Sequence, residues 1–157
     1  MRNPLLKIAA IIVLGLGLNS CTKSNNSSSS TTTTGTPSMS ATMNGTATTY
    51  TGTATSGANF MTIKGTSSNY TIAIYLQTPI NTGTYSLVAA GSGSYATVQT
   101  GAGGYWATNG TSATGTVTVS SYSTSTSLIS GTFSFNAAPT SGANMVVTNG
   151  SFANLKF

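Results

Sequence analysis

The stretch Asn69-Tyr70-Thr71-Ile72-Ala73-Ile74-Tyr75-Leu76 decides the fold class, because large apolar side chains occupy alternate positions along it. In an extended chain, every second residue from Tyr70 to Leu76 would share one face, and the three residues between them would share the other. Strict alternation over four to eight residues is typical of a β-strand with one buried face. The stretch therefore predicts a strand.

The same alternation continues on both sides of this stretch. Val117 and Val119 alternate with threonines, and Phe133 and Phe135 alternate with serines. Beyond the first twenty residues, no segment repeats apolar residues at helical spacing over three turns. The sequence therefore predicts one all-β, mostly antiparallel domain, either a sandwich or barrel-like. Strands are expected near 39–44, 46–54, 58–64, 69–76, 83–88, 94–99, 104–108, 114–122, 127–137, 143–149 and 151–157.

Turns between the strands are indicated by Asn-Gly pairs at Asn44-Gly45, Asn109-Gly110 and Asn149-Gly150. Both central residues of a type I′ turn need positive φ, which Asn and Gly tolerate best. Each pair therefore predicts a hairpin. Asn81-Thr82-Gly83 predicts a longer turn.

Charge is scarce along the predicted strands. Lys64 is the only charged side chain between Lys23 and Lys156. Exposed sheet edges are usually protected by charged side chains, especially lysine. We therefore expect the edges of this sheet to be closed, covered or paired.

The first twenty residues have the three parts of a bacterial export signal. Arg2 and Lys7 are positive, Ile8 to Leu18 form an apolar run, and Asn19-Ser20 end it. A membrane-spanning helix is the alternative, but it needs roughly 20 apolar residues, more than this run provides. Residues 1–20 are therefore predicted to be a signal peptide.

The end of this signal, Leu18-Asn19-Ser20-Cys21, resembles the lipobox of bacterial lipoproteins. The resemblance implies cleavage before Cys21 and lipidation of its thiol, although Asn19 departs from the usual alanine, serine or threonine. Cys21 is the only cysteine, so it cannot form an internal disulfide. Ordinary secretion with a spare thiol is the alternative. The expected location is the cell envelope, with lipid anchoring to the outer membrane.

The segment after Cys21 is low in complexity. Thr22 to Ser38 is almost entirely Ser, Thr, Asn and Gly, and has no apolar face to bury. Residues 21–38 are predicted to be the lipidated cysteine and a flexible linker spanning roughly 23 Å, and residues 39–157 the β domain. No acidic patch follows Cys21, which favours the periplasmic face over the cell surface.

Composition excludes several classes of function. The 157 residues contain no Asp, Glu or His. General acid–base catalysis and most metal sites depend on those side chains, so we predict a non-enzymatic protein without cofactor or metal. Too few lysines and arginines are present to bind nucleic acid. A Lys64 base acting on Ser67 or Ser68 is the remaining enzymatic alternative.

Tyr105-Trp106 is the candidate ligand site, because glycine- and threonine-rich stretches flank it. Its rings, with nearby hydroxyls and amides, could stack on and hydrogen-bond a glycan. The alternative is that Trp106 anchors the core while Tyr105 faces solvent. The other strand tyrosines, Tyr50, Tyr85, Tyr95 and Tyr122, are interpreted as ordinary strand residues.

The C-terminal segment carries a second resemblance. Ile129 to Ala137 reads ISGTFSFNA, and Val146 to Phe157 reads VVTNGSFANLKF. These segments, with the earlier Met43-Asn44-Gly45-Thr46, resemble a Bacteroidota-type family of small envelope lipoproteins. The tryptophan usual near the early turn is absent, and Thr48-Thr49-Tyr50 stands there instead. The resemblance implies an all-β envelope domain and no particular activity.

Two functions follow as hypotheses. The first is a lipid-anchored envelope protein that acts as a structural or binding module, with the membrane as its partner and an envelope protein as a candidate partner. The second is a domain that binds a glycan or small ligand through exposed aromatic side chains.

Overall fold

The computed structural model describes residues 35–89, 92–108 and 114–157, which form an all-β domain without a helix, as predicted. The strands are β1 (Ser38–Met43), β2 (Thr46–Ser56), β3 (Phe60–Thr66), β4 (Tyr70–Gln77), β5 (Gly83–Ser86), β6 (Tyr95–Thr100), β7 (Tyr105–Ala107), β8 (Thr114–Ser123), β9 (Leu128–Pro139) and β10 (Met145–Lys156).

Eight of these strands form a closed antiparallel sheet in the order β10-β1-β2-β3-β4-β6-β7-β9, which closes because β9 also pairs with β10. The domain is therefore barrel-like. One edge of β9 is shared, since β8 pairs with Leu128–Asn136 and β7 with Ala138 and Pro139. β5 adds to β8 as the last strand of the sheet. Closure removes most of the edges that lysines would otherwise protect, and β5 is only four residues long.

The predicted alternation is confirmed in β4. Ile72, Ile74 and Leu76 are fully buried inside the closed sheet, whereas Tyr75 lies on its outer face. The core inside the sheet also contains Phe133, Phe135 and Phe152. The three rings form a stacked series, with neighbouring centroids 6.1 and 6.4 Å apart.

Glycines on the inner face make room for these rings. A Cβ on Gly131 would lie 2.6 Å from Cζ of Phe152 and would also overlap the carbonyl oxygen of Thr118. A Cβ on Gly150 would overlap the ring of Phe133. Large and small residues therefore interdigitate in the core, and neither glycine can be enlarged without moving a strand or a ring.

The Asn-Gly predictions have three different outcomes. Asn44 and Gly45 have φ values of 45° and 86° and join β1 to β2, as a type I′ hairpin requires. Asn109-Gly110 lies outside the described residues. The hairpin predicted at Asn149-Gly150 is wrong, and the two strands expected on either side of it are one continuous strand, β10.

Asn149 instead forms a β-bulge. Asn149 and Gly150 together lie opposite the single residue Ala41 of β1, because the register shifts between Ser40 and Thr42. Asn149 has φ 50°, so its positive φ accommodates the extra residue without reversing the chain. β10 cannot turn there because β1 and β9 pair with it on both sides of the bulge.

A second bulge in β10 contains Asn154, which has φ 51° and whose N–H donates to Oγ of Ser130 at 2.9 Å. A third register shift separates Val119 and Ser121 in β8. Bulges bend strands and increase their twist. Their concentration in β8 and β10 is consistent with strong curvature where the sheet closes.

Candidate binding surface

The predicted pair Tyr105 and Trp106 occupies β7, and the two side chains point to opposite faces of the sheet. Tyr105 faces outward and is 44% exposed. Trp106 pairs with the inward-facing Val98 and packs against the core, and its Nε1–H donates to the carbonyl oxygen of Ala143 at 3.0 Å. The two rings therefore do not form one surface, and the position of Trp106 agrees with the alternative that it anchors the core.

A group of three other aromatic side chains, Phe60, Tyr75 and Tyr95, lies on the same outer face of the sheet as Tyr105. Tyr75 and Tyr95 are opposite each other in the β4–β6 register and stack, with centroids 4.4 Å apart and planes at 14°. Phe60 meets both rings edge-on, at centroid distances of 5.7 Å from Tyr95 and 6.5 Å from Tyr75. Such offset-stacked and edge-to-face contacts are the favoured arrangements of aromatic rings.

A row of small residues separates this group from Tyr105. Ala73, Thr97 and Ala107 are opposite one another across β4, β6 and β7, and all three are at most 8% exposed although they lie on the outer face. Tyr95 lies on one side of this row, and Tyr105 on the other. We call Phe60, Tyr75, Tyr95 and Tyr105 the aromatic platform, and Ala73, Thr97 and Ala107 its floor.

The ionisation of Tyr95 reflects this packing. Burial among its neighbours raises the pKa of the Tyr95 hydroxyl above its ordinary value, and the Tyr75 and Tyr105 hydroxyls raise it further. The Tyr95 hydroxyl therefore stays neutral at physiological pH and can act as a hydrogen-bond donor and acceptor.

Sequence reasoning missed this platform. Tyr95 was interpreted as an ordinary strand residue, and Tyr75 was placed correctly on the polar face without a partner. The stacking of Tyr75 on Tyr95 depends on β4 pairing with β6 and skipping β5. The one available signal was that both tyrosines occupy the outward positions of their strands.

The Lys64 alternative finds little geometric support. Lys64 is exposed on the outer face of β3, opposite Ala73. The Ser67 hydroxyl lies in the turn after this strand, donating to the carbonyl oxygen of Tyr70 at 3.1 Å and accepting from its N–H at 3.0 Å. The side chain of Ser67 is therefore used in holding the β3–β4 turn.

Tyr50 is one of two residues in the described part of the chain whose buried polar atom has no hydrogen-bond partner, the other being Asn136. Tyr50 is 7% exposed, and its buried hydroxyl has no hydrogen-bond partner among the described residues. Burial raises the pKa of Tyr50 to about 12; the nearby Thr48 hydroxyl opposes this rise, and the Tyr70 hydroxyl adds to it. The ring lines an open polar cleft that also contains Thr48, Ser67 and Asn69.

The predicted lipidation site, Cys21, lies outside the described residues, as do the signal peptide and most of the linker. Within residues 35–89, 92–108 and 114–157, no helix is long and apolar enough to cross a membrane. The same residues contain no group of three or more metal-binding side chains.

The described residues define a class: a closed, antiparallel β domain with an aromatic patch on its outer face. The chain belongs to the family described as a domain of unknown function, DUF6252, which matches residues 22–156. No curated protein and no solved structure matches the chain. The family description assigns no activity, so function has to be argued from the residues themselves.

Proposed function

We propose that this protein is a lipid-anchored envelope protein that acts through contact and not through catalysis. The observation that carries the proposal is the position of Cys21, the only cysteine, immediately after an export signal. The first strand of the domain begins at Ser38. Sixteen residues rich in Ser and Thr therefore separate Cys21 from the first strand, enough for a tether of roughly 22 Å if it is flexible.

The contact role is supported by the chemistry available in the chain. Because Asp, Glu and His are absent from the sequence, the domain has no side chain suited to general acid–base catalysis near neutral pH, apart from a perturbed lysine. Its outer face instead presents hydroxyl groups and aromatic rings. These groups suit recognition, since they supply hydrogen bonds and apolar area without charge.

Mass spectrometry of the protein purified from bacterial membranes tests the anchor. We expect the N-terminal peptide to begin at Cys21 and to carry a diacylglyceryl group and an N-linked acyl chain. The Cys21→Ala variant should remain an uncleaved precursor, whereas the matched Ser24→Ala variant should be processed normally. An unmodified Cys21 in the mature protein, or cleavage at another position, would overturn the proposal.

A second function, binding of a glycan or small ligand through exposed aromatics, was expected at Tyr105 and Trp106. The outward position of Tyr105 favours it, because this ring is the most exposed tyrosine among the described residues. Trp106 contributes less, since it packs against the core and its N–H already has a partner.

A further inference from the structure

We propose that the aromatic platform is a binding site for a neutral oligosaccharide, with Tyr95 and Tyr105 as its main contacts. The site deepens the contact role proposed above and rests on it. The site formed by Tyr95 and Tyr105 does not include Trp106. The site lies on the outer face of β3, β4, β6 and β7, which are neighbours in the closed sheet.

The first argument concerns the cost of exposing these rings. A soluble domain ordinarily gains from turning large apolar side chains inward, and the interior here buries apolar residues from every strand that faces it. Four aromatic side chains nevertheless gather on the outer face, where the neighbouring strands present mainly threonines and serines. A grouped and partly exposed aromatic patch on an otherwise hydroxyl-rich surface is typical of an interaction site.

The second argument concerns shape. The floor residues are small and at most 8% exposed, so the surface open to a ligand is provided mainly by the tyrosines on either side of them. Tyr95 and Tyr105 approach this row from its two sides, and the Tyr75 and Phe60 rings hold Tyr95 in place through contacts of 4.4 and 5.7 Å. A ring fixed by its neighbours loses little conformational entropy when a ligand binds to it.

The third argument concerns charge and selects the ligand class. The platform and its floor contain no charged side chain, and the one charge beside them is Lys64 on β3, which lies opposite Ala73. The available groups are phenol rings, their hydroxyls and the nearby Gln99 amide, which is opposite Tyr105. Sugar rings match this set, because their C–H faces stack on aromatic rings while their hydroxyls exchange hydrogen bonds with phenols and amides.

Calorimetry on the full-length lipidated protein in nanodiscs tests the site, with cellohexaose, maltohexaose and mannohexaose as probes. We expect at least one probe to bind with a Kd on the order of 0.1–1 mM, a range ordinary for a shallow site. Tyr105→Ala should weaken binding at least tenfold without affecting the fold, because this side chain is already 44% exposed. Tyr95→Ala should have a similar effect.

Matched variants separate the site from general effects. Tyr105→Phe keeps the ring and should bind within about threefold of the wild type if stacking dominates. Tyr122→Ala removes a ring that stacks on Phe157 elsewhere in the domain, and should leave the affinity unchanged. Raising sodium chloride from 50 to 500 mM, or changing Lys64→Gln, should alter the affinity by less than twofold, since the ligand is neutral.

The proposal is overturned if folded wild-type protein binds none of the three probes at 5 mM. It is also overturned if Tyr105→Ala binds as tightly as the wild type, or if binding disappears at high salt. If the Tyr95→Ala variant does not fold, the affinity of the Tyr105→Ala variant alone tests the proposal. A failure to bind oligosaccharide would not contradict the proposed lipidation of Cys21, because mass spectrometry tests the anchor independently.

Discussion

The inner and outer faces of the sheet differ more in residue type than any two segments of the chain do. In β8, Val117 and Val119 are buried inside, whereas Thr116 and Thr118 face outward, where Thr118 shares a hydrogen bond of 3.0 Å with the Thr84 hydroxyl. The inner face carries nearly all the apolar burial. The outer face relies on hydroxyl groups where most proteins use charges. Stability and the proposed recognition role thus lie on opposite faces of the sheet.

The sharpest test of this division is to empty the inner face at Phe152, which is 1% exposed and stacks on Phe133. Phe152→Ala should lower the free energy of unfolding by about 3–5 kcal/mol, because the lost apolar contacts leave a cavity. Urea denaturation of the full-length protein measures the change. The outward-facing Thr132→Ala should cost less than about 1 kcal/mol, and equal losses at the two positions would contradict the division.

Adding a methyl group to the packed inner face should lower the free energy of unfolding less than removing an aromatic ring from it. Gly131→Ala places a Cβ 2.6 Å from the Phe152 ring, so a strand or the ring must shift. We expect a loss of about 1–3 kcal/mol in unfolding free energy. Gly101→Ala is the matched control, since a Cβ there meets nothing within 4 Å. A loss at Gly101 as large as that at Gly131 would point to the backbone conformation that glycine adopts and not to packing.

The bulge at Asn149 offers a smaller test, because it concerns backbone conformation and not burial. With φ at 50°, Asn149 adopts a conformation that alanine disfavours and glycine accepts. Asn149→Ala should reduce the unfolding free energy by about 1 kcal/mol, whereas Asn149→Gly should leave it nearly unchanged. Thermal denaturation of both variants measures the difference, and equal melting temperatures would show that the bulge is not strained.

The smallest expected effect at neutral pH is that of Tyr50→Phe. Removing a buried hydroxyl without a partner should leave stability unchanged or raise it by up to about 1 kcal/mol. Because burial raises the folded-state pKa of Tyr50 from 10.0 to about 12, Tyr50 adds no pH dependence below pH 10, and the free energy of unfolding falls as pH rises from 10 towards 12, where only the unfolded chain ionises readily. The wild type should therefore lose melting temperature more steeply than Tyr50→Phe between pH 10 and 12.

The same pH series tests the rest of the chain. Since no Asp, Glu or His is present, the melting temperature of both proteins should stay nearly flat between pH 5 and pH 8. A change above about 10 °C across that interval would mean that a group not recognised in the sequence titrates on unfolding.

Local alternation proved sufficient to predict the fold class, as β4 illustrates. Its side chains lie on the faces that their period of two requires, because burial of one face fixes the register. The Asn-Gly signal succeeded at Asn44 and failed at Asn149. The dipeptide specifies only positive φ, and pairing with distant strands decides whether the chain turns or bulges.

Predicting the candidate site would have required even more knowledge of which distant strands pair. The turn-rich stretches on either side of Tyr105-Trp106 predict one site there, yet neighbouring residues of a strand point to opposite faces. Tyr75 and Tyr95 are 20 residues apart and stack because β6 lies beside β4. Strand order depends on the whole core, so no local pattern could have brought these rings together.

The place of β1 in the closed sheet has a mechanical consequence. β1 is hydrogen-bonded on both edges, to β2 from Met39 to Met43 and to β10 from Ser38 to Met43. A pull on the chain ahead of Ser38, as from an anchor at Cys21, would act along the axis of this strand. Two ladders of bonds would then be loaded together in shear, and they would have to break nearly at once for β1 to slide out. If the proposed anchor at Cys21 is present, tension on the tether would thus be opposed by both ladders of β1.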